Sequence, residues 1–126
     1  MRRLLACLAL LVAVAPAAAQ LDVLAKTTPA QRAAAQTAYL KTALVLTPDQ
    51  TTQVAALNLR YAEKAEPVLK GSEWAMKKAS EIRALQDAKD GELKALLTSD
   101  QWSTYESGKD AMKTAVEAQL AKEVGQ

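Results

Sequence analysis

Two pairs of carboxylates, Asp87/Asp90 and Glu63/Glu66, sit three residues apart on stretches that read as helix faces. Paired carboxylates can divide acid and base roles when burial makes one of them hold its proton more tightly. The rest of the chain offers them no help. Its 126 residues include no His and a single Cys, Cys7. That removes the commonest general base, the usual nucleophile partners and most transition-metal ligands. No glycine-rich loop offers a cradle for phosphate. The carboxylates are therefore read as solvated salt-bridge partners, and neither catalysis, a cofactor nor a metal is expected.

A looser chemistry, contact with other polypeptides, is suggested by apolar residues set among cations. Leu59 lies two positions beyond Leu57, about 200° around a helix axis from the apolar stripe. Met76 lies nine residues before Leu85, near the opposite side of its own helix. Arg60, Lys64, Lys77, Lys78 and Arg83 cluster in sequence around this pair. Nonpolar contacts combined with adaptable Lys and Arg stems suit a partly unfolded chain. The competing reading is a solvated face, with Leu59 on a dimer seam. Trp74 and Trp102 fall on apolar stripes and are expected in the core, as are Tyr39, Tyr61 and Tyr105 with their hydroxyls at its rim.

The elements that must position these residues are helical. The chain is rich in Ala, Leu, Lys, Glu and Gln, with only four Gly and four Pro, and has no convincing period-two stretch. Thr28-Pro29 starts a first helix, which runs through Leu40 and Leu44 to near Leu46. Thr47-Pro48-Asp49-Gln50 is a capping box that starts a second, with the stripe Val54, Leu57, Tyr61, Ala65 and Val68. Pro67 is expected to kink or end it. At Gly71-Ser72 a turn is expected, Gly71 left-handed and Ser72 capping the next helix. That third helix carries Trp74, Ile82, Leu85, Leu93 and Leu96, with a soft spot at Asp90-Gly91. Thr98-Ser99-Asp100-Gln101 starts the fourth, where Leu97 can staple onto Trp102 and the stripe is Tyr105, Met112, Val116 and Leu120. Glu66/Lys70 and Glu73/Lys77 are favourable pairs four apart. The fold expected is all-α, a four-helix elongated hairpin arrangement whose thin alanine core an oligomer interface would supplement.

Met1-Arg2-Arg3, an apolar run from Leu4 to Val14 and Ala17-Ala18-Ala19 form the pattern of a secretory signal peptide. Residues 1–19 are read as that signal, cut after Ala19, 20–28 as a flexible lead-in, and 29–123 as a single helical domain. Lipidation at Cys7 fits poorly, because most of the apolar run follows it, and Arg2-Arg3 lacks a twin-arginine context. The cut removes Arg2, Arg3 and Cys7, which leaves balanced charge and no thiol for a disulfide. A neutral chain without a strongly cationic face argues against nucleic-acid binding and stable membrane insertion.

Leu46-Thr47-Pro48-Asp49-Gln50 and Leu97-Thr98-Ser99-Asp100-Gln101 share four of five residues, 51 positions apart. Taken alone, they are two similar capping boxes, each with an apolar anchor just outside. With Leu44-Val45 before the first, Trp102 and Tyr105 after the second, and an export signal ahead, the pair resembles the LTxxQ-motif family of small exported helical proteins, the Spy/CpxP-like group. The resemblance spans roughly residues 40–106. It implies a helical hairpin, often dimerised into a thin curved cradle, in the periplasm. It also implies an ATP-independent chaperone for unfolded or partly folded envelope proteins or, alternatively, a regulatory protein that binds a stress sensor or another single partner. Better-known chaperones of that group are basic and rich in Met, whereas this chain, once cut, keeps only Met76 and Met112.

Overall fold

The computed structural model describes residues 17–125. The expected export signal lies outside them, apart from Ala17–Ala19, whose backbone opens the first helix. Among the described residues the chain is all-helical: α1 (Ala17–Lys26), α2 (Pro29–Ala43), α3 (Pro48–Lys70), α4 (Ala75–Leu96), α5 (Ser99–Ser107) and α6 (Lys109–Val124). Helices α2, α3 and α4 run up, down and up. Asn58 of α3 donates to Thr37 of α2 at 3.0 Å, and Arg60 of α3 meets Glu92 of α4 at 2.8 Å. The α5–α6 arm returns downwards, and α6 packs on α2 and α1.

The core follows the expected stripes. Leu40, Leu44 and Leu46 meet Val54, Leu57 and Tyr61, then Leu93, and are closed by Tyr105, Met112, Val116 and Leu120. Three helices start with a complete capping box: Thr28/Gln31, Thr47/Gln50 and Thr98/Gln101. In each, the Thr hydroxyl accepts from the Gln backbone N–H and the Gln side chain accepts from the Thr N–H, which satisfies two otherwise orphaned donors.

Several boundaries differ from expectation. Residues 20–28 are largely helix α1, with Leu21, Val23 and Leu24 half-buried against α3, α4 and α6. The Arg32 guanidinium fastens this segment by donating to the carbonyls of Leu24 (2.8 Å) and Thr27 (2.6 Å). Helix α3 continues past Pro67, which lies on the exposed side and, having no N–H, leaves the Glu63 carbonyl without its usual donor within the helix. Gly71 is extended (φ −70°) rather than left-handed, and Ser72 caps nothing; α4 begins after Trp74, without a side-chain cap. Helix α4 runs unbroken through Gly91. The fourth segment is divided at Gly108, whose N–H is shared between the carbonyls of Thr104 and Tyr105.

The α2–α3 connection holds the one strained residue among those described. Val45 has φ +51°, a region costly for a β-branched side chain. It occupies the left-handed position of a Schellman ending, in which the Leu46 N–H reaches the Lys41 carbonyl at 3.1 Å.

Candidate functional site

The two LTxxQ motifs meet in space. The Gln50 side-chain amide donates to Gln101 Oε1 at 2.7 Å and to the Leu96 carbonyl at 3.1 Å. Gln101 answers with bonds to Gln50 Oε1 at 3.0 Å and to the Leu44 carbonyl at 3.2 Å. Each glutamine thus caps its own helix with its oxygen and ties down the opposite motif with its nitrogen. The arrangement joins the starts of α3 and α5 at one end of the bundle. Gln31 makes the same local box at the start of α2 but has no such partner among the described residues. Thr47 and Thr98 act only as local caps, Leu46 is buried and Leu97 half-buried, and Asp49 and Asp100 lie exposed in the first turns of their helices, favourable to the helix dipole.

The opposite end carries two exposed apolar residues close together, whereas Val45, 80% exposed, stands alone at the motif end. At the α3–α4 turn Trp74 is 64% exposed and Met76 69%. Trp74, expected in the core, sits instead at the N-cap of α4, one residue before its helical face can turn inward. Lys70, Lys77 and Lys78 flank it: Lys77 pairs with Glu73 at 3.1 Å, and Lys78 donates to the Leu69 carbonyl at 3.2 Å. Both expected i,i+4 pairs form, Glu66/Lys70 at 4.0 Å.

Leu59 is 39% exposed but does not join this tip. Arg60 and Tyr61 face Glu92 while Leu69 faces Lys78, so Leu59 and Met76 lie about 18 Å apart along the hairpin. Arg60 and Lys64 flank the Tyr61 ring, at 5.5 and 4.7 Å from its centre. The Tyr61 hydroxyl donates to Glu92; that bond holds the phenol proton above its usual pKa and, with Arg60, the Glu92 carboxyl below its own.

Between the two ends, α1, α3, α4 and α6, with Arg32 and Gln36 of α2, border an open cavity of about 520 Å³, with Arg83 at its mouth. Its wall contains two of the carboxylates considered for catalysis, Asp87 and Asp90. Asp90 is buried and accepts from the Tyr105 hydroxyl at 2.5 Å and Lys109 Nζ at 2.6 Å. Asp87 lies exposed on the rim. Glu66 is committed to Arg32 and Lys70, and Glu63 is exposed. Burial and the Asp90 carboxylate raise the Tyr105 pKa.

The family described as Domain of unknown function (DUF4890) matches residues 18–105. The chain belongs to that family. No curated protein and no solved structure matches it. The DUF4890 stretch takes in α1, both motifs, the exposed tip and the buried Lys89–Asp90 pair, and ends at Tyr105; α6 lies beyond it.

Sequence reasoning found the motifs and the exposed Met76 but missed the buried charges. Lys89 stands midway between Leu85 and Leu93, four residues from each, on the inward stripe of α4. That gap in an apolar stripe was the available signal. Arg32, one residue before the buried Ala33, gave none.

Proposed function

We propose that this chain is an exported, non-catalytic polypeptide-binding protein of the LTxxQ, Spy/CpxP-like kind. It acts in the periplasm as an ATP-independent chaperone for unfolded or partly folded envelope proteins. The observation that carries the reading is the tip: two large apolar side chains, Trp74 and Met76, stand in solvent beside Lys70, Lys77 and Lys78. Burying either against a client stabilises contact by about 1.5–3 kcal/mol. The surrounding ion pairs are exposed and individually weak, so they exchange readily for client carboxylates. Leu59, with Arg60 and Lys64, forms a separate apolar spot suited to the seam of a homodimer.

Light scattering from a chemically denatured client tests the reading. The purified protein is expected to suppress aggregation at near-stoichiometric ratio, and Trp74→Ser/Met76→Ser to lose most of that protection with its helicity unchanged. Absence of suppression across several clients refutes it. If Leu59→Ser dissociates a dimer but leaves protection intact, Leu59 belongs to the seam.

A further inference from the structure

The cavity between α1, α3, α4 and α6 takes no part in polypeptide capture at the tip. The geometry points to a binding site here for an amphiphilic carboxylate of medium chain length, its head on Lys89 and its chain along the apolar side of α4. At about 520 Å³ the space falls within the range of small-molecule sites. The α4 residues that line it, from Ala79 to Asp90, span about 16 Å of helix axis. Its polarity changes along that length. Leu69, Ile82 and Leu85, with Leu21 and Leu24 of α1, make one end apolar, whereas Lys89 and Gln36 mark the other.

Lys89 is the group that asks for a ligand. It is 4% exposed, and one of its three ammonium N–H groups goes to Gln36 Oε1 at 3.0 Å. It has no carboxylate partner within salt-bridge distance among the described residues. The neighbouring Asp90 is already engaged by Tyr105 and Lys109. Of the other charges in the wall, Arg32 is spent on backbone carbonyls and Glu66. Arg83, Asp87, Asp110 and Lys113 are exposed at the mouth, and Glu117 is half-buried. A buried cation with no carboxylate in contact is costly, and burial, opposed only in part by the charge of the nearby Asp90, lowers the Lys89 pKa to about 8. A carboxylate, with two acceptor oxygens and no donor, matches the remaining N–H groups of Lys89 and the side-chain amide of Gln36.

Titration calorimetry at pH 7 with decanoate, and with decanol as the uncharged chain of equal length, tests the site. The protein is expected to bind one decanoate, Lys89→Met to weaken it about tenfold or more, and decanol to bind both proteins alike. Bound decanoate is also expected to shield Lys89 from acetylation at pH 8, read by peptide mass, which needs no variant. Ile82→Trp, which fills the apolar end, is expected to abolish decanoate binding and that shielding while Lys89 stays reactive. Decanoate binding that is absent, spread over several equal sites, unchanged by Lys89→Met, or unaccompanied by shielding overturns the inference.

Discussion

Mutual capping by Gln50 and Gln101 makes a quantitative prediction. Four hydrogen bonds cross between the motifs: two join the glutamines to each other, and two tie them to the Leu96 and Leu44 carbonyls. At about 1 kcal/mol net for each neutral bond, Gln50→Ala loses three of the four together with its own cap and costs about 4 kcal/mol; Gln101→Ala costs a similar amount. The two glutamine–glutamine bonds are counted in both single variants. The double variant should therefore cost about 1–2 kcal/mol less than the sum. Urea unfolding followed by far-ultraviolet circular dichroism measures all three changes. Gln31 provides an internal control, since its box is locally the same but lacks the crossing bonds. Gln31→Ala should cost about 1 kcal/mol and add independently to Gln101→Ala. If Gln50→Ala and Gln101→Ala prove additive within about 0.5 kcal/mol, the motifs are separate helix starts and the reasoning fails.

The stability–pH profile should show Lys89. Burial holds its folded-state pKa at about 8, below the ordinary 10.5, so the folded chain binds this proton less tightly than the unfolded one does. The penalty is fully present below pH 8 and fades as pH approaches 10.5, so stability should rise by about 2 kcal/mol between pH 7 and 10. Above pH 10 the raised pKa values of Tyr105 and Tyr61 reverse the slope, because the unfolded chain then loses phenol protons first. Lys89→Met should flatten the rise, and an unchanged slope in that variant would contradict the assignment. Val45→Gly should relieve the positive φ and stabilise the fold by about 1 kcal/mol, read as a raised thermal midpoint; destabilisation would mean that the Val45 side chain contributes more than its 80% exposure suggests.

Helix starts were legible because they are local. Each Thr and Gln three residues apart sets its own geometry, and the stripes through Leu57 and Tyr61 or Met112 and Val116 follow from the helix period alone. The failures share a different cause. Trp74 fits the stripe of α4 when that helix is extended back to Ser72, but the helix begins at Ala75, and a shift of one turn moves the indole from the core into solvent. The lead-in carries an apolar pair, Leu21 and Leu24, but no capping signal of its own. It is helical because Arg32, on the next element, collects its terminal carbonyls. The pairing of Gln50 with Gln101 depends on how α4 returns, which no local pattern records.

Alanine connects the cavity to these polar ties. Along α2 only Ala33 and Leu40 are buried apolar side chains, so its contact is narrow and offers little shape to fix the register. Register is set instead by polar contacts at different heights: Arg32 with Ala62 and Glu66, Thr37 with Asn58, Gln36 with Lys89, and Gln50 with Gln101. Such bonds demand particular partners, whereas a narrow apolar contact accepts many. Small side chains of α3 and α4, Ala62, Ala65 and Ala79, line the space left where α1 and α6 meet the hairpin, and the buried ammonium of Lys89 stands at the edge of that space. A thin core and an open cavity beside a buried cation with no carboxylate in contact thus go together in this fold.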